Sequence, residues 1–189
     1  MKRILLVMCA ALIAGPVLAD EVTDAIDEGS AAYKRGELGT AASQWEYASQ
    51  LVRQAKADKV KKLLPAALSG WESGEGDASA TSAAVLGGGI NVSKQYTKGD
   101  DSVSIEITMD SPMLQSVLAM ITNPQMAALS GMKVKKIKGN SAAVESSADN
   151  TRIQIVVGNS VLVVVDGKPE AAVTAYSESI DFAAISALK

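Results

Sequence analysis

The segment Val161-Leu-Val-Val-Val165 is apolar at every position. Successive side chains of a β-strand point to opposite faces of the sheet, so a strand of this composition buries both of its faces. The segment is therefore predicted to be a central strand, which requires neighbouring strands on both sides.

Other patterns predict those neighbours. Residues 103–109 alternate apolar and polar side chains, which is typical of a strand with one buried and one solvated face. Gly139-Asn140 and Gly158-Asn159 are short-hairpin signals, and each separates two strand-like runs. A further strand is predicted over residues 83–97, interrupted by three glycines that indicate a bulge or a close backbone approach.

Helices are predicted between and after these strands. Asp110-Ser111-Pro112 is typical of a helix start, and apolar residues then recur with helical spacing through Ile121. A last helix is predicted over residues 170–188. The predicted fold class is α+β, with an N-terminal αα-hairpin followed by a mainly antiparallel sheet covered on one face by helices.

The first nineteen residues have the pattern of a signal peptide. Lys2 and Arg3 precede an apolar run of 11 residues, and small residues stand at the positions expected before a cleavage site after Ala19. Cleavage would remove Cys9, the only cysteine, and leave 16 basic and 21 acidic groups. No later segment has 18 uninterrupted apolar residues, so no transmembrane helix is predicted. The predicted location is the periplasm of a Gram-negative bacterium.

Residues 22–62 are rich in helix-forming residues and contain no proline. Small and large side chains alternate along this segment with the spacing of two close-packed helices. These positions are Gly29, Tyr33, Gly36, Ala41, Trp45 and Ala48. Over residues 22–56 the pattern resembles a single tetratricopeptide repeat, a family that binds peptides and protein partners. Tyr33 and Trp45 are expected to fill the space between the helices; the segment is either a partner-binding module or an ordinary αα-hairpin.

Residues 65–82 are rich in Gly, Ser and acidic side chains, so they are predicted to form a linker. The predicted organisation is a helical hairpin over 20–64, this linker, and a sheet domain over 83–189. Trp71 within the linker either docks it onto the sheet or stacks on a ligand. The C-terminal layout is similar to the PsbP/Mog1-type α+β sandwich, a resemblance that implies an accessory or assembly role.

Several kinds of chemistry are excluded by composition. The chain contains no His, so a Ser-His-Asp triad, a Cys-His dyad and a His-ligated metal are impossible. Ser186 and Lys189 have the spacing of a Ser-Lys pair but lie at the chain terminus. No cofactor motif occurs, and the net charge of −3 argues against nucleic-acid binding. The chain is predicted not to be an enzyme; a hydrolase with an assembled carboxylate or Ser-Lys site is the least favoured alternative.

Methionines are concentrated between positions 109 and 132. Thioethers bind Cu(I), so Met109, Met113 and Met120 are candidate ligands in an alternative reading as a copper or small-ligand carrier. Methionine at helical spacing more often fills a hydrophobic core.

Lys133, Lys135 and Lys136 load one predicted strand with positive charge. Charged side chains protect an edge strand against aggregation, and the same cluster is a candidate docking patch for an acidic partner. Together these features predict a non-enzymatic periplasmic protein that binds another envelope protein in an assembly or accessory role. Its candidate partner-binding residues are Tyr33, Trp45, Trp71, Lys133, Lys135 and Lys136.

Overall fold

A computed structural model describes residues 17–81, 88–112, 114–129 and 131–188. The helices are α1 (Val17–Lys34), α2 (Leu38–Lys61), α3 (Leu114–Thr122), α4 (Pro124–Leu129), α5 (Glu170–Ser179) and α6 (Phe182–Ala187). The strands are β1 (Glu72–Ser73), β2 (Asp77–Thr81), β3 (Gly89–Lys98), β4 (Asp101–Met109), β5 (Lys133–Ile137), β6 (Asn140–Ser146), β7 (Thr151–Val157) and β8 (Val161–Lys168). Most of the predicted signal peptide lies outside the described residues.

The chain divides into two compact units between Ala48 and Ser49, within α2. The predicted hairpin domain, residues 20–64, therefore contributes to both units. In the first unit, Gly36 has a φ of +81° and allows the tight turn after α1. The Glu37 N–H donates a hydrogen bond to the Ala32 carbonyl at 3.0 Å across this turn.

The second unit is built on one antiparallel sheet with the strand order β1-β3-β4-β8-β7-β6-β5, in which β2 also pairs with β3. β8 lies in the middle of this order and β5 at its edge, which confirms both predictions. β4 has the predicted alternation of buried and more exposed side chains. The first hairpin turns at Lys138 and Gly139, one residue earlier than predicted, because both adopt the positive φ that a two-residue turn requires.

The main hydrophobic core covers one face of the sheet. Val161, Val163 and Val165 of β8 lie at its centre, and the end of α2 with α5 and α6 supplies the covering layer. The buried residues of that layer are Ala57, Val60, Ala172, Val173, Tyr176, Phe182 and Ile185. The α+β class and the antiparallel sheet are thus confirmed.

A second, smaller core lies on the other face. Leu162 of β8 and Val156 of β7 pack there against Leu118 and Ile121 of α3. α3 packs on β6, β7 and β8. On the same face β4 presents Ser104, Glu106 and Thr108, and the Glu106 side chain is exposed.

The prediction that residues 65–82 form a linker is corrected by the structure. Most of the second half of this segment belongs to the sheet. β1 and β2 both pair with β3, and the Gly74 N–H donates a hydrogen bond to the Gln95 carbonyl at 3.0 Å. The side chains of Asp77-Ala-Ser-Ala-Thr81 alternate in exposure but are too small to give a clear hydrophobic period. The predicted strand over 83–97 is observed from Gly89 onward, and residues 82–87 lie outside the described residues.

Two tyrosine hydroxyls fix the segment that leads into the sheet. The Tyr96 hydroxyl donates a hydrogen bond to the Pro65 carbonyl at 2.7 Å, and the Tyr176 hydroxyl accepts one from the Leu68 N–H at 3.1 Å. The two rings lie 4.3 Å apart between centroids. Burial raises the pKa of both phenols, because the charged phenolate is poorly solvated there.

Gly167 of β8 is expected to tolerate no side chain. A Cβ at this position would lie 2.0 Å from the Ser102 carbonyl oxygen and 2.8 Å from the Val103 Cα, both backbone atoms of the paired strand. We expect Gly167→Ala to lower the free energy of unfolding by about 3 kcal/mol, measured by urea denaturation. The matched control is Gly74→Ala, whose Cβ would meet nothing closer than 3.8 Å. Equal stability of the two variants would contradict the close strand pairing at Gly167.

The buried phenol of Tyr96 predicts a loss of stability at high pH. Its folded pKa is raised above that of the unfolded chain, so its stabilising contribution is complete below about pH 10 and is lost as the pH rises further. We expect Tyr96→Phe to cost about 1 kcal/mol at neutral pH, because the Pro65 carbonyl loses its donor. The variant should also show a shallower decline in the urea midpoint above pH 10. A decline as steep as that of the parent chain would show that Tyr96 does not carry it.

Candidate partner-binding surfaces

Tyr33 and Trp45 form an exposed aromatic pair on the first unit. Tyr33 is 58% exposed and Trp45 42%, and their ring centroids lie 5.8 Å apart at an angle of 41°. Gly29 lies directly beneath the indole, since a Cβ there would be 2.7 Å from two ring atoms of Trp45. The pair is therefore seated on the hairpin rather than extended freely into solvent.

Small residues are buried on both helices of this hairpin. Ala25 and Ala32 of α1, and Ala41 and Ala48 of α2, are all buried, and each pair is seven residues apart on one face of its helix. The expectation that Tyr33 and Trp45 fill the space between the helices holds only in part. Tyr33 is mostly exposed, whereas the Trp45 indole of α2 rests on Gly29 of α1 and is exposed on its other side.

Ile26 extends the aromatic pair along α1. It is 45% exposed and lies seven residues before Tyr33, which places both side chains on the same face of the helix. We call Ile26, Tyr33 and Trp45 the aromatic face. Sequence reasoning did not single out Ile26, although its spacing from Tyr33 is a signal that would have found it.

Tyr47 provides a contrast on the same hairpin. It is two residues from Trp45, and so about 200° around the helix. Its hydroxyl donates a hydrogen bond to the Glu21 carboxylate at 2.5 Å. That hydrogen bond raises the pKa of Tyr47, because it favours the neutral phenol. Tyr47 is 44% exposed but already has a polar partner within the unit.

Trp71 is docked within the second unit. Its ring meets that of Tyr176 edge-on, at a centroid distance of 5.5 Å, and the side chain packs against the edge of the main core. The ring thus docks the segment before β1, but its aromatic partner belongs to α5 of the helical layer, whereas docking onto the sheet was predicted. The Trp71 side chain is partly exposed, and only this exposed part could contact a partner.

The three candidate lysines lie on the open edge of the sheet. Lys133, Lys135 and Lys136 are exposed on β5, and the Lys136 ammonium donates a hydrogen bond to the Ser141 hydroxyl at 2.8 Å. Lys138, just after the strand, instead donates to the Ile180 carbonyl at 2.7 Å and lies 5.7 Å from the Phe182 ring centroid. Lys138 thus joins the sheet to the α5–α6 connection, whereas the other three are presented to solvent.

The methionines proposed as copper ligands are not brought together in the described residues. Met109 is buried in the main core on one face of the sheet. Met120 belongs to α3, which packs on the opposite face. Met113 lies outside the described residues.

A shallow groove of about 270 Å³ lies beside α6. Ser186 lines it together with Lys138 and Asp181. The Lys138 ammonium is already bound to a backbone carbonyl, and the Asp181 carboxylate accepts the Ala184 N–H at 2.9 Å. Lys189, the predicted partner of Ser186, lies outside the described residues. Within the ranges described, no group of three or more His, Cys, Asp or Glu residues is placed to hold a metal ion.

Comparison with protein-family models, curated proteins and solved structures gives no match. The resemblances to a tetratricopeptide repeat and to the PsbP/Mog1-type sandwich therefore stay predictions. Among the residues that the structure describes, no helix is both long enough and apolar enough to cross a bilayer.

The contact between Gly29 and Trp45 gives a testable consequence. We expect Gly29→Ala to push the indole outward, because the added methyl group would occupy the space of the ring. Alanine also has the higher helix propensity, so the hairpin itself should remain folded. The measurement is tryptophan fluorescence in a Trp71→Phe background, where a red shift is expected. An unchanged emission maximum would show that the indole does not rest on Gly29.

Proposed function

We propose that this chain is a non-enzymatic exported protein that binds another envelope protein through its aromatic face, in an assembly or accessory role in the periplasm. The observation that carries this proposal is the seated but exposed pair of Tyr33 and Trp45. Signal-peptide cleavage after Ala19 would remove the first three residues of α1 and leave its remaining residues, from Asp20 to Lys34, at the start of the mature chain.

Aromatic side chains are favoured at protein interfaces because they bury a large area at little conformational cost. Here that cost is lowered further, since Gly29 and the neighbouring ring already restrict the Trp45 indole. An exposed ring pair held in this way is preorganised for binding to a partner. Isolated exposed apolar residues would need no such explanation.

Acidic side chains surround the start of the aromatic face and indicate the chemistry of the partner. Five acidic residues occupy positions 20–28, and Asp24, Asp27 and Glu28 are exposed. A partner surface with an apolar centre and a basic rim would complement this arrangement. Charge at the rim acts mainly on the association rate and on specificity.

The supporting experiment is a cross-linked pull-down of the tagged mature protein from the periplasm, followed by binding to the purified partner. We expect Tyr33→Ala with Trp45→Ala to weaken that binding by at least tenfold, because the central aromatic contacts are lost. The double variant should retain its helical circular dichroism, since both rings are exposed and the buried alanines of the hairpin are unchanged.

Tyr47→Ala is the matched control for this experiment. It removes an aromatic side chain of similar exposure from the same hairpin but from a different face of α2. The control should bind the partner as the parent chain does. Equal loss in both variants, or full binding by the double variant, would contradict the aromatic face as the binding surface.

A further inference from the structure

The segment from 111 to 144 is free of acidic residues. These 34 residues include four lysines, at positions 133, 135, 136 and 138, in a chain whose net charge is −3. Within the described residues, none of Lys133, Lys135 and Lys136 forms an ion pair with a carboxylate. The edge strand β5 is thus a local concentration of positive charge on an acidic protein.

Exposed apolar side chains lie on β5 and on α4, the helix that packs against it. Leu129, at the end of α4, is 86% exposed, which is the highest value among the large apolar residues in the described ranges. Met126 is 49% exposed and Val134 39%. We call these three residues together with Lys133, Lys135 and Lys136 the basic edge.

The pairing of β5 with β6 shows which face of the sheet each of its side chains is on. Val134 pairs with Ala143, which lies in the smaller core beneath α3, so Val134 is on the face of the sheet that carries α3. α4 packs against β5. Lys136 shares the face of Val134, whereas Lys133 and Lys135 point to the other face, because successive strand side chains alternate. The lysines therefore flank the edge on both sides.

The opposite edge of the sheet is different. There the Gln54 side chain of α2 donates a hydrogen bond to the Ala78 carbonyl of β2 at 3.2 Å. A helix side chain thus satisfies part of that edge. The exposed lysines of β5 protect the basic edge, and the exposed apolar side chains of this edge are not required for that protection.

We propose that the basic edge docks on the surface of an anionic phospholipid bilayer. Leu129 and Met126 would enter the headgroup region while the lysine ammonium groups contact lipid phosphates, which is the arrangement of interfacially bound proteins. The charge of the edge complements an anionic membrane, and a lipid surface accommodates an exposed leucine that water does not favour. An acidic peptide added as a strand would use the lysines but would leave Leu129 without a role. This proposal does not depend on the aromatic face.

The expected affinity of the basic edge for an anionic membrane is modest, and the contributions of its lysines add up. Each surface lysine contributes roughly fivefold to binding on an anionic membrane, so three lysines contribute on the order of a hundredfold. The attraction is screened by salt, so binding should weaken as ionic strength rises. Docking of this kind is reversible and is not insertion across the bilayer.

The test is sedimentation of the mature protein, beginning at Asp20, with vesicles of phosphatidylcholine alone or mixed with phosphatidylglycerol. The full chain is run beside it. We expect binding only to the mixed vesicles, and a loss on the order of a hundredfold for Lys133→Glu with Lys135→Glu and Lys136→Glu. The glutamates keep the edge strand charged, so the variant should remain unaggregated. Leu129→Ser, which leaves the charge unchanged, should weaken binding several-fold.

The matched control is Lys59→Glu with Lys61→Glu and Lys62→Glu, which makes the same charge change at the exposed end of α2. Binding by this control at close to the parent level would support the basic edge. Equal loss in both triple variants would overturn the proposal, because binding would then follow overall charge. It would also be overturned if Leu129→Ser bound normally, or if an acidic peptide bound the edge while the mixed vesicles did not.

Discussion

β8 has apolar side chains on both faces, and the rest of the second unit is arranged around that constraint. Val163 points into the main core and Leu162 into the smaller one. Such a strand cannot lie at an edge or face water on either side. Its two neighbours in the sheet, β4 and β7, come from different parts of the chain, so the sheet joins two meanders at β8.

The position of β8 also explains the second helical layer. β4 lies beside β8, whereas β5, the next strand along the chain, lies at the far edge. The connection between them must therefore cross β8, β7 and β6. α3 and α4 make this crossing over the smaller core, which is why that face is covered over β6 to β8 and polar along β4. One connection thus completes the burial of β8 and brings α4 beside the edge strand.

Local patterns predicted the parts of this fold that depend on neighbouring residues. The composition of β8 predicted a central strand, the lysines of β5 an edge strand, and the alternation of residues 103–109 a half-buried strand. The crossing by α3 was not predicted, because it depends on strand order, which is a long-range property. β2 was missed because alanine, serine and threonine bury too little area for a recognisable period.

For the candidate sites too, the sequence predicted local features but not long-range contacts. The residues Tyr33, Trp45 and Trp71 were identified from the sequence, but their surroundings were not. Ala41 and Ala48 are buried, but Tyr33 and Trp45 are exposed. Trp71 is held by Tyr176, which is more than a hundred residues away in the sequence. Residue type and spacing thus identify the large side chains, whereas their exposure depends on which distant residues pack around them.

The sign of the charge on β5 carries information that edge protection does not. An edge strand resists aggregation with charged side chains, and negative charge improves solubility at least as well as positive charge. Yet Lys133, Lys135 and Lys136 are all positive in a chain with more acidic than basic residues, and their segment contains no acidic residue. Solubility alone does not explain why all three charges are positive, nor why Leu129 is exposed in the same region. A surface that requires positive charge and accepts an apolar side chain accounts for both.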